Sequence, residues 1–318
     1  MKILFVNADA AKPQCAIYQA GKAAYDALRL SKAHEFSYFE ITSGVTEHMP
    51  DPTPYDAVLF NYQHVSMSMV PIEYFFACRR AIGYLYEARK EPQFSPTHFG
   101  PSINCDRLFT QIITPDPTLR YEDFYRRIIS VPRIVPRAPV WMQHNDPVWV
   151  GTFGFPSPWK ALDEVIMMMN EEFEHAVFRL NFAHASHQEG TPLHDMMMDS
   201  IDNLKKLAHP GIEVRVTTDY LDDSALIRWL AENDVNVFLA KEERSIQTGG
   251  ALLASTDMAI AAQRPILVSR TEEARHLQLC ATGSIKKAIA HTMGYVEQYY
   301  EDWSPEKFAR SIDRQLRE

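Results

Sequence analysis

The sequence predicts an α/β protein made of two successive parallel-sheet units, and three observations carry that prediction. Short apolar runs alternate with amphipathic segments along the 318 residues, the pattern of strands joined by crossover helices. The alternation breaks once, at VPRIVPRAPVWMQHNDP (131–147), where four prolines fix φ and remove backbone donors. The length itself suits two domains. The expected division is therefore a first unit over 1–145, a second over 146–300, and a terminal helix over 301–318.

In the first unit the unbroken run KILFV makes Lys2–Val6 a buried strand. Ala16–Leu30 carries apolar and small residues at helical spacing. Phe36–Ile41, Asp56–Tyr62 (DAVLFNY), Ala81–Tyr86 (AIGYLY) and Leu108–Thr114 (LFTQIIT) read as further strands. In the second unit strands are expected at Val148–Phe153, Val177–Phe182, Ile212–Thr217, Val235–Leu239 and Pro265–Val268. Helices are expected between them at Trp159–Phe173, Met196–Ala208, Asp222–Asn233 and Ser255–Ala262. The stretch Ser304–Arg317 opens on SPEKF, a cap followed by a first-turn glutamate. Ligands of such sheets sit beyond the C-terminal strand ends.

Composition narrows the function. Acidic residues outnumber basic ones, 41 to 32, for a formal charge of −9, which argues against a general nucleic-acid-gripping surface. The four cysteines, Cys15, Cys78, Cys105 and Cys280, show no CxxC spacing, so neither a zinc site nor a disulfide framework is read. No apolar run is long enough to span a bilayer and the N-terminus shows no secretion signal, so the expected location is the cytoplasm.

Within this frame several segments carry a resemblance. VGTFGFPSPWKALDEVI (150–166) is similar to the opening of the C-terminal domain in family-4-like retaining glycosyltransferases of GT-B architecture. DVNVFLAKEERSIQTGGALLASTDMAIAAQRPILVS (234–269) is similar to their donor-site segment. QCAIYQAGKAAYDAL and DAVLFNYQH resemble parts of the related N-terminal domains. The resemblance implies two Rossmann-like domains facing across a cleft, with the last helix crossing back to the first domain. It also implies a glycosyltransferase, hexosyltransferase-like, that takes a sugar from a nucleotide-sugar with retention. No metal or other cofactor is required, and a nucleoside diphosphate is the product.

Such a reaction must stabilise a departing diphosphate. A helix N-terminus contributes roughly 0.3–2 kcal/mol, and each direct contact to an ionised group about 1.5–3 kcal/mol. By the resemblance Lys160 contacts the diphosphate, with Arg244 or Lys241 as a second cation; these make Lys160 and Arg244 the catalytic candidates. Gly154, Phe155, Lys241, Thr248, Gly249, Gly250, Ser255 and Asp257 are the donor-binding candidates. Members usually carry a basic residue near the position of Phe155 and a ribose-binding glutamate at that of Met258; here Asp257 is the adjacent acid. On the acceptor side, Gln14, Cys15 and Gln19 flank the first strand-to-helix turn. Asn61, His64, Glu87 and Asp116 follow strands, where turn formation and capping compete with a binding role.

His184, His187, His194 and Asp195 share one loop but not the spacing of a metal site, and are read as polar loop residues. The methionine triplets 167–169 and 196–198 are read as core filling. Tyr295, Tyr299, Tyr300 and Trp303 form an aromatic anchor for the terminal helix or a homodimer contact. Two alternatives stay open. One is a catalytically inactive GT-B-like binding protein. The other is a sugar transferase acting on modified nucleic acid, among acceptors that include glycans and small molecules.

Overall fold

The structure is a computed structural model. It describes residues 1–7, 16–41, 49–62, 67, 70–86, 109, 111–119, 128–141, 144–154, 160–183, 192–241, 252–253 and 255–317. The chain separates into two compact units, Met1–Ile134 with Trp303–Glu318, and Val135–Asp302.

Unit 1 holds β1 (Lys2–Asn7), α1 (Ala16–Leu28), β2 (Glu35–Glu40), β3 (Ala57–Asn61), α2 (Ile72–Ala77), β4 (Ala81–Tyr84), β5 (Gln111–Thr114) and β6 (Ile128–Ser130). The strands form one six-stranded sheet in the order β2-β1-β3-β4-β5-β6, and every neighbouring pair is parallel. β1 and β3 are buried almost throughout because their residues are apolar on both faces.

Unit 2 holds β7 (Val148–Phe153), α3 (Leu162–Glu172), β8 (Ala176–Asn181), α4 (Pro192–Leu207), β9 (Ile212–Thr217), α5 (Asp223–Ala231), β10 (Val235–Phe238), α6 (Ser255–Ala261) and β11 (Ile266–Val268). A 3-10 segment over Glu272–Cys280 and two helices, α7 (Ile285–His291) and α8 (Met293–Asp302), complete it. Its strands are likewise all parallel, in the order β11-β10-β7-β8-β9. The core on one face joins Val150, Phe178, Leu180 and Val237 of the sheet to Val165, Ile166 and Met169 of α3 and Ile285 of α7.

The last helix, α9 (Pro305–Arg317), belongs to unit 1. Its apolar stripe, Phe308, Ile312 and Leu316, is buried in the same cluster as Ile3 and Phe5 of β1 and Ala24, Ala27 and Leu28 of α1. Spacing of four residues puts the three side chains on one helix face. Two bonds fix the register: the Ser31 hydroxyl to Asp313, and Arg80 Nη1 to the Leu316 carbonyl at 3.2 Å.

The proline-rich stretch goes with unit 2 from Val135 onward rather than ending the first unit at 145. The reason is Tyr300 on α8. Its ring lies 4.2 Å from the Arg137 guanidinium, and its hydroxyl accepts from the Ala138 amide at 3.1 Å and donates to the Ala138 carbonyl at 3.2 Å. Further along, Asp234 accepts from the amides of Asn145 at 3.2 Å and Trp149 at 2.8 Å, delivering the chain into β7. Among the described residues no helix is long and apolar enough to cross a membrane.

Candidate functional site

In unit 2 the strand order reverses between β7 and β10, since β8 and β9 extend to one side and β10 and β11 to the other. At such a switch point the loops leave in opposite directions and open a crevice beyond the C-terminal strand ends. β7 ends there at Phe153 and β10 at Phe238.

Lys160 occupies that point. The sequence places it on a helix starting at Trp159, but the helix begins at Leu162. Lys160 instead forms a single antiparallel bridge to Ala240, and the Ala161 amide reaches the Leu239 carbonyl at 3.4 Å. The main chain around the lysine is thus stitched to the end of β10. Its ammonium turns back and donates to the Phe153 carbonyl at the end of β7, so one side chain spans the two strands that define the crevice.

Gly154 makes room for it. Its φ is +107°, a conformation that side chains rarely adopt. A methyl added there would lie 2.8 Å from Lys160 Nζ. The Gly154 amide is bonded to the Asn181 carbonyl at 3.0 Å, which holds the turn in line with β8. Lys241 stands one residue past the bridge and pairs with Asp163 Oδ2 at 3.6 Å. Both partners are well exposed, so this pair contributes little to stability, about 0–1 kcal/mol. The first turn of α3 carries Asp163 and Glu164. These acids already answer the helix dipole.

Ser255 and Asp257 lie in the first turn of α6. α6 is the crossover between parallel neighbours β10 and β11, so its first turn sits at the same sheet edge as Lys160. Asp257 is buried. Next to it the Thr256 hydroxyl donates to the Leu253 carbonyl at 2.7 Å and lies 2.9 Å from His276 Nε2.

Unit 1 has its own switch point, between β1 and β3. Both strands close on an asparagine, and the two amides meet: Asn61 Nδ2 donates to Asn7 Oδ1 at 2.7 Å and to the Ile17 carbonyl at 2.8 Å. Asn7 Nδ2 reaches the Tyr18 carbonyl at 3.2 Å and the Tyr38 hydroxyl at 3.0 Å. Tyr18 and Tyr38 both donate to Glu40 Oε2 at 3.0 Å. Burial first, then the Glu40 carboxylate, raises the Tyr18 phenol above its ordinary value. Burial raises that of Tyr38 as well. Helix α1 approaches this close because residue 21 is glycine: a Cβ there would fall 1.9 Å from Asn7 Oδ1.

No protein-family model matches the chain, and no curated protein matches it in sequence. Solved structures do match. HepE from Anabaena in complex with UDP and glucose aligns with a TM-score of 0.64 at 12% identity, over 100% of this chain and 99% of that one. A structure of the trehalose-6-phosphate synthase OtsA gives 0.60 at 8% identity, over 100% and 99%. A glycosyltransferase from Rickettsia africae gives 0.55 at 10%, over 100% and 98%. The chain has the GT-B fold.

Of the residues expected to serve a GT-B donor site, Lys160, Gly154 and Lys241 come together at the unit 2 switch point. Ser255 and Asp257 stand at the same sheet edge. Phe155, Arg244, Thr248, Gly249 and Gly250 lie outside the described residues, as do Gln14, Cys15, His64 and Glu87 on the acceptor side. Gln19 is half-buried in the first turn of α1. Asn61 is fully enclosed. Asp116 is buried two residues past β5 and accepts from the Thr118 amide at 3.0 Å and hydroxyl at 2.6 Å, a turn-forming arrangement.

Sequence reasoning missed Asn7 as the partner of Asn61. The signal was present, since KILFVN and AVLFN are apolar runs that both end in asparagine. It also missed Arg179, whose guanidinium lies between the rings of Trp149 and Trp229 at 4.5 and 4.6 Å and bonds Asn233 and Glu232 at 2.9 Å each. Nothing local in the sequence joins those residues.

Proposed function

We propose that this protein is a glycosyltransferase that moves a sugar from a nucleotide-sugar donor, with the donor diphosphate seated on Lys160 at the β7/β10 switch point of unit 2. One observation carries the reading: a lysine ammonium is held by main-chain bonds between the C-terminal ends of the two strands that flank the crevice. The shared fold of HepE, solved with UDP and glucose, supports it.

In this reading negative charge gathers on the departing diphosphate as the glycosidic bond breaks, and the fixed ammonium lies where that charge develops. A preorganised donor of this kind is worth more in the transition state than in water, because it is already oriented. Lys241 and the first turn of α6 complete the donor side. Acceptor binding falls to unit 1, where Gln19 is the described candidate with a partly accessible side chain; Asn61 and Asp116 serve mainly to hold their loops. The reaction proceeds with retention and without a metal. The leaving phosphate oxygen takes the acceptor proton, so no protein nucleophile is needed.

Calorimetric titration with UDP, GDP and ADP tests the donor side, and mass spectrometry of donor incubations tests turnover. At least one nucleotide binds, and Lys160→Ala weakens it about tenfold or more and lowers kcat by roughly 10²–10³. No binding by any of the three, or unchanged binding in Lys160→Ala, refutes the proposal. Binding without release of free or transferred sugar from any donor refutes the enzymatic part and leaves a binding protein.

A further inference from the structure

The geometry points to a second ligand site in unit 2, a cavity that takes an anionic sugar, that is, a sugar bearing a phosphate monoester or a carboxylate. The cavity measures about 680 Å³ and opens at the C-terminal ends of β10 and β11, with α3 forming its opposite wall. Its size is that of small-molecule pockets, which run from about 300 to 1,000 Å³. It adjoins the proposed donor site and shares Lys241 with it, but neither Lys160 nor Gly154 lines it.

Charge and hydrogen-bonding capacity define the ligand. Lys241 lines the cavity but already answers Asp163. Arg270 is different. Its Nε donates to the Ala281 carbonyl at 3.4 Å, and among the described residues no carboxylate pairs with its guanidinium. That bond engages only Nε, and the two Nη groups keep the donors with which a guanidinium grips a phosphate or carboxylate through two parallel bonds. Across the cavity stands Glu164, which makes no ion pair among the described residues. A carboxylate there accepts from hydroxyl donors and repels a second anion, so the favoured ligand has one charged end and a polyhydroxyl body.

A third observation is independent of these charges. The Thr271 hydroxyl oxygen is shut off from solvent and has no hydrogen-bond partner among the described residues. Thr271 is among the residues that line the cavity, with its hydroxyl turned away from the accessible surface. Buried polar groups are nearly always satisfied, and one that is not calls for an explanation. A change of χ1 rotamer on binding would bring the hydroxyl to the cavity, where a ligand hydroxyl or anionic oxygen supplies the missing bond. The neighbouring Ser269 is not available for this, because its hydroxyl already bridges the Ala240 amide at 2.6 Å and carbonyl at 3.1 Å. Leu239, Leu267 and Met168 give the floor an apolar surface suited to the face of a sugar ring.

The experiment is calorimetric titration of the full chain with glucose 6-phosphate, glucuronate and glucose, run on the native protein and on Arg270→Gln, Arg270→Lys, Thr271→Val and Lys160→Ala. At least one anionic sugar binds and glucose does not at the same concentration; which of the two binds tighter names the anion. Arg270→Gln weakens binding at least tenfold. Arg270→Lys, which keeps the charge and loses the fork, falls in between. Thr271→Val weakens binding severalfold, and Lys160→Ala leaves it unchanged while UDP affinity falls. Circular dichroism melts confirm that the variants fold. Failure of both anionic sugars to bind, equal binding of glucose, indifference to Arg270→Gln, or loss of binding in Lys160→Ala each overturns the inference. The last outcome would assign the sugar to the donor site.

Discussion

Replacing Gly154 by alanine separates two effects that meet at one atom. Gly154 holds φ at +107°, and an L residue forced into such a region is strained by about 1–3 kcal/mol. For a unit of this size each kcal/mol moves the melting temperature by about 2–4 °C. The added methyl would also sit 2.8 Å from Lys160 Nζ. The ammonium is the far end of a flexible chain, so it yields rather than the backbone, and it leaves the Phe153 carbonyl. In the proposed function that displacement forfeits a charge-assisted contact worth about 1.5–3 kcal/mol, or roughly 10- to 150-fold in UDP affinity. Calorimetry on Gly154→Ala, Lys160→Ala and the double variant separates the terms. If Gly154 acts through the lysine, the double variant binds UDP no worse than Lys160→Ala alone, although it melts lower. A Gly154→Ala protein that binds UDP as tightly as the native chain, or additive losses in the double variant, would refute this account of the switch point.

Other consequences follow from the packing and the caps. Phe308→Ala empties a fully buried site against Tyr84 and should cost about 3–5 kcal/mol in urea unfolding; a loss under about 1 kcal/mol would mean that α9 is not part of the unit 1 core. Asn61→Leu removes the donor of both Asn7 Oδ1 and the Ile17 carbonyl and should destabilise by roughly 1–3 kcal/mol for each group left buried and unpaired, again read from urea midpoints. Asp222 caps α5, and its bond from the Ala225 amide, followed by that from the Ser224 hydroxyl, holds its carboxyl below the usual range. Its contribution is therefore complete above the unfolded aspartate value of about 3.9 and is lost as the pH falls through the lower folded value. Asp222→Asn keeps a capping oxygen without a titration, so its stability should fall less steeply between about pH 5 and pH 2; an unchanged acid limb would contradict the capping role.

The strands were legible wherever an apolar run was long enough to be buried on both faces. KILFV, AVLFN and the β7 run are examples, and their ends fall within a residue or so of expectation. Short elements were not. β6 is only three residues long, IIS, and gains its identity from pairing with β5 rather than from its own pattern. α2, IEYFFA, buries only Phe75, so it shows no helical stripe. Lys160 was found as a residue but assigned the wrong local structure, because its bridge partner Ala240 is eighty positions away and no local propensity encodes that contact. Asn61 looked like an exposed turn residue by type. It is enclosed because Gly21 lets α1 close over it, a fact that depends on a helix and a strand far apart in the chain. The cavity around Arg270 and Thr271 was invisible for the same reason: its walls come from α3, β10, β11 and the segment before α7.

The path of the chain has a bearing on how the molecule is made. Unit 2 is one uninterrupted stretch, whereas unit 1 draws its final helix from residues 303–318. During synthesis the second unit can condense as soon as it clears the ribosome, while the first, although made earlier, waits with the groove for Phe308, Ile312 and Leu316 uncovered. The order of maturation thus runs opposite to the order of translation, and a ribosome stalled before codon 305 would release a nascent polypeptide with one finished half and one sticky one.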